Sequence, residues 1–290
     1  MSNFAIFTDS GCDISLDVLA AWGVRCACLS FKFTDEETEY LNNEMPTDAF
    51  YKAMREGRQA KTSAVNSETF RMMFEEELKK GNDMLYLGLS SGISNTYNAG
   101  RLAAEQLRSE YPDRKIYTVD PLSASAGLGM WVRCAVDMRE AGKSIEEVAK
   151  YIEDNRLLMC HWFTVDDLAY LKRGGRISPA VAFVGGMLGI KPVMHVDNDG
   201  HLANVSKVRG RRAAIRAMAE KYAALAIDKE NGTIFISQAD CLADAETLVA
   251  DIQALTGRKK GADHITDVGT VIGSHSGPGT LALFFLGNER

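Results

Sequence analysis

No apolar run in this chain reaches the length that spans a bilayer. The longest candidate, Ala180–Ile190, is broken by glycines and too short. An excess of positive charge is also missing. The formal net charge is −6 over 290 residues, which argues against a general binder of nucleic acid or of membrane surfaces. The N-terminus, MSNFAIFTDS, lacks a basic stretch followed by a long apolar core, so no signal peptide is expected. None of the six cysteines (Cys12, Cys26, Cys28, Cys134, Cys160 and Cys241) belongs to a C-x-x-C pair, and no Cys/His cluster has zinc spacing. Reduced thiols in a cytoplasmic protein are the simplest account, with Cys26 and Cys28 on one face of a strand. Neither G-x-G-x-x-G after a strand nor G-x-x-x-x-G-K-[ST] occurs, so no dinucleotide site, P-loop or cofactor is expected.

What remains is a globular composition, 46% apolar and 25% charged, long enough for one large domain or two ordinary ones. The first half reads as repeated β-α units: strands at Phe4–Thr8, Val24–Phe31, Met84–Leu89 and Lys115–Val119. Helices are expected from Ser15, over Asp48–Arg55 with Thr47 as cap, from Ser94 as N-cap, and over Ser123–Glu140 and Ile145–Asn155. After about Met159 the texture changes. Strands at Cys160–Val165, Thr233–Gln238, Thr270–Ser274 and Leu281–Leu286 mix with a hairpin, Lys191–Val196 and Leu202–Val208, around Asn198-Asp199-Gly200. The expected architecture is an α/β N-terminal domain with a Rossmann-like or flavodoxin-like parallel sheet, residues 1–159. It carries a small excursion at about 32–56, and an α+β domain follows at 160–290.

Polar residues gather where the parallel strands end: Thr8-Asp9-Ser10, Thr62-Ser63, Ser90-Ser91 and Asp120. Those ends face the ligand crevice of a doubly wound sheet, although turn residues sit there in any α/β protein. The strand–turn–helix YLGLSSGISNTYNAGR, Tyr86–Arg101, offers hydroxyls and free N–H groups at a helix start, which suits a carboxylate or phosphate. Gly88-Leu89-Ser90-Ser91-Gly92 also matches G-x-S-x-G, the form of a hydrolase elbow, with His275 or His264 as possible base. Asp9, Asp13 and Asp120 are candidate metal ligands or simply caps. His275-Ser276-Gly277-Pro278-Gly279 puts a histidine at a constrained loop between two expected strands. Lys172-Arg173-Gly174-Gly175-Arg176, with Lys191, Lys207, Arg209, Arg211 and Arg212, makes a basic face for an anionic ligand or acidic partner.

Taken together, Thr8-Asp9-Ser10, Ser90-Ser91-Gly92-Ile93-Ser94-Asn95-Thr96-Tyr97, Leu171–Arg176, Ile190-Lys191-Pro192 and His275–Gly279 resemble the DegV family of bacterial fatty-acid-binding proteins, in order and over nearly the full length. The resemblance implies two domains with one long-chain fatty acid between them. Its carboxylate is then held near Thr62, Ser94 and His275, with Ser63, Ser91 and Gly277 around them. It also implies a non-catalytic carrier that presents the acid to a separate fatty acid kinase subunit, with Arg173, Arg176 and Lys191 as the docking face or as support for the acyl phosphate. The sequence departs from the family in one loop. Thr62-Ser63-Ala64-Val65-Asn66 stands where Thr-Ser-x-Pro-Ser is usual, and Asp120-Pro121 replaces Asp-Ser.

The chemistry is coherent on its own terms. Hydroxyls and a histidine can cap one carboxylate by charge-assisted hydrogen bonds. The run containing Phe183, Met187, Leu188 and Ile190 suits the wall of an acyl tunnel, or ordinary core. Each buried methylene contributes about 0.8 kcal/mol, so few polar contacts are needed. Two other readings stand beside this one: a serine hydrolase using Ser90 and His275, and a phosphate- or sugar-binding α/β module with a polar pocket.

Overall fold

The computed structural model describes residues 4–177 and 189–290. It is a mixed α/β structure built on three sheets. The first holds β1 (Phe4–Asp9), β2 (Val24–Ala27), β6 (Asp83–Leu87) and β7 (Ile116–Val119), all parallel in the order β2-β1-β6-β7. The chain's direction of growth reverses between β1 and β6. That is the switch point at which open α/β sheets bind ligands. A small antiparallel sheet, β4-β3-β5, is made by β3 (Ser30–Phe33), β4 (Tyr40–Leu41) and β5 (Ala60–Ser63). The largest sheet runs β10-β9-β8-β13-β11-β12. Its strands are β8 (Met159–Thr164), β9 (Ile190–Val196), β10 (Leu202–Arg209), β11 (Phe235–Gln238), β12 (His264–Asp267) and β13 (Leu281–Leu286). Every pairing in it is antiparallel except β11 with β12.

The helices are α1 (Leu16–Ala21), α2 (Thr47–Arg55), α3 (Ser67–Lys79), α4 (Thr96–Glu110), α5 (Ala126–Glu140), α6 (Ile145–Asn155), α7 (Leu168–Arg173), α8 (Arg211–Leu225), α9 (Leu242–Thr256) and α10 (Thr270–Ser276). Several start where a polar cap dictates. Ser15 accepts the Val18 N–H, and Ser144 and Glu147 form a reciprocal box at α6. Asn66 accepts the Thr69 N–H at 2.9 Å, so the residue that replaces the family's serine supplies the cap of α3. No helix among the described residues is long and apolar enough to cross a membrane.

Four expectations are corrected. Val24–Phe31 is two strands in two sheets, because the Leu29 N–H donates to Ser10 Oγ at 2.9 Å instead of continuing a ladder. Thr47 lies inside α2, not at its cap; its hydroxyl donates to Asp267. The helix expected from Ser123 starts at Ala126, since Ser125 holds φ 54°. Thr270–Ser274 is helix, not strand. The N–H of Gly269 goes to Asp13 Oδ1 at 3.0 Å, and that of Val271 to Asn42 Oδ1 at 2.9 Å. Those two bonds satisfy a helix start that nothing local would cap. Strand β12 was not expected at all.

The small sheet is anchored by aromatic rings. Phe31, Phe33, Phe50 and Tyr51 are buried and pack edge-on or stacked, with centroids 5.1–5.7 Å apart. Each such side chain contributes about 1.5–3 kcal/mol of burial, enough to hold an otherwise acidic excursion in place. In the large sheet, Arg258 is 2% exposed and acts as an internal staple. It donates to the carbonyls of Gly232 (2.6 Å), Lys260 (3.0 Å) and Gly261 (3.1 Å), and it pairs with Asp263 at 3.3 Å. Replacing it, Arg258→Met, takes a donor from four carbonyls, including that of Glu230, and leaves Asp263 with Lys260 and the Ile234 N–H. The expected loss is about 3 kcal/mol in urea unfolding, with an unchanged slope; a loss within error would show that water replaces the guanidinium.

Candidate functional site

At the switch point the strand-end acids fix backbone rather than metal. Asp9 accepts the hydroxyl of Tyr86 (2.8 Å) and the N–H groups of Leu89 (2.8 Å) and Gly11 (3.0 Å). Burial outweighs those bonds and pushes its carboxyl up to about 6. Asp120 accepts the N–H groups of Ser91 (3.2 Å) and Leu122 (2.9 Å). Asp13 accepts Ser125 Oγ–H and the Gly269 N–H, and burial pushes it up to about 7. Among the described residues no group of three or more His, Cys, Asp or Glu is placed to hold a metal ion.

The turn between β6 and α4 carries Ser90, Ser91 and Ser94. Helix α4 begins at Thr96, so Ser94 is not the N-cap. Its Oγ accepts the Thr96 N–H at 3.2 Å and shares a 2.9 Å bond with the Thr96 hydroxyl. Ser90 is fully buried. It donates to the Gly200 carbonyl at 2.9 Å and accepts the Gly92 N–H at 3.2 Å. The tip of the β9–β10 hairpin is therefore seated on this turn. A Cβ on Gly92 would lie 2.7 Å from the Gly200 carbonyl oxygen, so the contact needs glycine. Neither candidate base bonds Ser90: His275 bonds Thr62, and His264 packs on the Phe235 ring. The strand–turn–helix of a hydrolase elbow is present without its chemistry.

His275 lies in the last turn of α10, and its Nε2 is 2.7 Å from Thr62 Oγ1 at the edge of the small sheet. Burial, helped by the Arg176 charge, lowers its pKa to about 4, so the ring is neutral near pH 7. Its Nδ1 is buried without a hydrogen-bond partner among the described residues. Gly174 makes room for the ring, since a Cβ there would stand 2.2 Å from Nδ1. Arg176 follows. Its guanidinium donates to the carbonyls of Ile93 (3.2 Å) and Gly174 (2.5 Å) and has no carboxylate partner among the described residues. Burial lowers its pKa.

These groups border a cavity of about 230 Å³. Thr62, Ser94, Arg176, His275 and Ser276 supply its polar edge. Leu29, Leu89, Val196, Leu202, Phe163 and Phe284 are among the apolar walls, drawn from both halves of the chain. A second, polar cavity of about 300 Å³ shares Thr62, Arg176 and His275 and adds Lys61, Gln59 and Arg173. The arrangement suits an amphiphile with one anionic head: an apolar chamber on one side of Thr62 and His275, a cationic one on the other.

The other expected site residues are distributed unevenly. Ser63 and Ser91 are exposed and outside the cavity wall. Gly277 ends α10 at φ 80° against the Tyr170 ring, and its carbonyl accepts the Thr280 hydroxyl. Lys191 pairs with Asp166 at 2.7 Å, and Arg173 lies over Tyr170, 4.5 Å from the ring centre. Phe183, Met187 and Leu188 fall outside the described residues. Ile190 opens β9 half-buried and is not in the wall. Sequence reading missed the walls on β8 and β13, where His161, Phe163, Ala282 and Phe284 line the cavity. Both strands are buried on both faces, so alternation gave no sign of which side faced a ligand. His161 is neutral too; burial holds it well below the usual range, and its Nε2 is 2.7 Å from Ser123 Oγ.

The family model described as "Uncharacterised protein, DegV family" matches residues 3–288. A DegV domain-containing protein of Clostridium perfringens is 41% identical, covering 100% of this chain and 99% of its own. One from Streptococcus pyogenes is 33% identical, over 99% of each. Among solved structures, a DegV lipid-binding protein from Thermotoga maritima aligns with TM-score 0.82 at 30% identity, over 99% of both chains. A DegV family protein from Thermus thermophilus, described by its fatty acid binding, aligns with TM-score 0.86 at 28% identity, over 98% of this chain and 99% of that one. With the family model matched over residues 3–288 and a relative 41% identical over its full length, this chain belongs to the DegV family.

Proposed function

We propose that this protein binds one long-chain fatty acid and carries it in the cytoplasm, without itself catalysing a reaction. The observation that carries the reading is the apolar cavity closed by the Thr62–His275 pair. The acyl chain occupies the apolar chamber between an N-terminal domain and a C-terminal domain that meet near residue 160. Thr62, Ser94 and His275 hold the carboxylate, and Arg176 offsets its charge across the shared wall. The polar chamber beside them, with Lys61 and Arg173, leaves the carboxylate open to a fatty acid kinase subunit and room for the phosphoryl group it adds. The lipid-binding relatives from Thermotoga maritima and Thermus thermophilus support the choice of ligand.

Native mass spectrometry of the purified protein, followed by extraction, is expected to show one fatty acid per chain. An empty protein that also refuses palmitate and oleate would sink the reading. In titration calorimetry with palmitate, Thr62→Val and Ser94→Ala are each expected to weaken binding about tenfold or more, the scale of a hydrogen bond to a charged group. Ser90 is expected to stay unlabelled by a fluorophosphonate probe, because its hydroxyl is committed to Gly200.

The histidine gives a pH test. In the empty protein the His275 ring is expected to titrate near 4 by NMR. A carboxylate placed beside it favours the imidazolium, so bound palmitate moves that midpoint up. Between the two midpoints binding takes up a proton. Affinity therefore rises as pH falls through the bound-state value, while the acid stays ionised. An unmoved midpoint places the carboxylate elsewhere.

A further inference from the structure

One side chain in the apolar wall of the cavity is polar and only half bonded. His161, on β8, is 2% exposed and lines the cavity with Phe163. Its Nε2 is 2.7 Å from the buried Ser123 Oγ. Its Nδ1 is buried and makes no hydrogen bond among the described residues. The Met159 carbonyl, whose field favours a proton on the ring, is not bonded to it and accepts the Arg290 guanidinium at 3.1 Å. Helix α5 backs the other edge of the ring. A Cβ on Gly127 would stand 2.8 Å from Nε2 and 2.9 Å from Cδ2. Nδ1 is the ring atom opposite that edge, so it faces away from α5.

The strand ladder sets its depth. Strand β13 runs antiparallel to β8, with Ala282 opposite Phe163 and Phe284 opposite His161, and all four residues line the cavity. Thr280, just before β13, gives its hydroxyl to the Gly277 carbonyl at the end of α10, the helix that carries His275. Four residues of extended chain, about 13 Å, separate Thr280 from Phe284. His161 therefore stands well inside the chamber, not at its head. The other hydroxyls on the wall are committed or belong to the polar edge. Ser125 is bonded to Asp13 and Ser237, and Ser276, whose Oγ also lacks a partner, directly follows His275.

We propose that His161 is a second polar station in the chamber, which receives a hydroxyl carried at mid-chain, so that the preferred ligand is a hydroxylated long-chain fatty acid. The statement rests on the fatty-acid reading above and narrows it. The ring chemistry selects a hydroxyl. If Ser123 donates to Nε2, the ring proton is on Nδ1 and a donor is left unpaired. If Nε2–H donates to Ser123, Nδ1 is an unpaired acceptor. A hydroxyl satisfies either form, because it both donates and accepts. A plain alkyl chain satisfies neither and leaves a buried polar atom with its full desolvation cost. A hydroxyl is itself poorly tolerated among apolar side chains unless it is bonded. Each group meets the other's need. A site that bonds a hydroxyl also rejects the analogue lacking it more sharply than an apolar pocket discriminates by size.

The test titrates the full chain, freed of lipid, with stearate, 10-hydroxystearate and 2-hydroxystearate by calorimetry. The mid-chain hydroxy acid is expected to bind about tenfold more tightly than stearate, the scale of one hydrogen bond. The 2-hydroxy acid, whose hydroxyl lies beside the carboxylate, is expected to show no gain. The double variant His161→Leu with Ser123→Ala leaves neither partner orphaned; it is expected to bind stearate and to lose the preference. A second measurement needs no variant. In wild-type protein labelled with nitrogen-15 histidine, the His161 Nδ1 resonance is expected to move to a hydrogen-bonded position with 10-hydroxystearate and not with stearate. Equal or weaker binding of 10-hydroxystearate, a preference that survives in the double variant, or the same Nδ1 response to both acids overturns the proposal. A wild-type protein that binds none of the three acids overturns the fatty-acid reading, and the proposal with it.

Discussion

The head of the cavity depends on how a seven-residue helix is capped. Helix α10 is far too short to hold together alone, and its sequence brings no side-chain cap. Its first N–H groups are met instead by Asn42, in the loop after β4, and by Asp13, in the turn after β1. Asn42 also accepts the Thr270 hydroxyl through its own carbonyl groups. The first half of the chain therefore holds the helix that places His275. Thr62 comes from the small sheet, whose position the packed phenylalanines settle. The pairing of Thr62 with His275 is the meeting of two elements, each fixed by something distant.

That dependence marks the limit of what could be read from the chain alone. Elements with local causes were legible. The hairpin around Asn198–Gly200, helix α6 with its capping box, and the acids at strand ends all appear where their residues call for them. Thr-Val-Ile at 270–272 looks like strand because β-branched residues favour it, and bonds to Asn42 and Asp13, both distant in sequence, support it as helix. The break after Ala27 likewise comes from Ser10, across the sheet. The residues at the polar edge of the cavity were visible as motifs, but their geometry was not.

Charge shows the same division. Counting cations along the chain suggests a broad basic face, yet the fold pairs three of its eight members with carboxylates. Lys191 meets Asp166, Arg211 meets Asp244, and Arg212 meets Asp251. Arg173 and Arg176 lie on an aromatic ring and on carbonyls, and both border the polar chamber. Among the described residues these two guanidinium groups border the polar chamber with no carboxylate ion pair, where an anionic group would be attracted.

The neutral state of His275 bears on the form in which a ligand arrives. A fatty acid inside hydrocarbon is un-ionised, since an isolated carboxylate is poorly tolerated there. An empty site built around a charged histidine would receive such a molecule as a mismatch and would have to shed a proton to solvent from a buried place. On the proposed fatty-acid reading, with an uncharged ring bonded to Thr62, the acid can enter carrying its own proton and release it to the imidazole beside it. Loading then moves no net charge through the protein. On the same reading, discharge to water near pH 7 gives up the proton together with the anion, because the ring of the empty site is neutral.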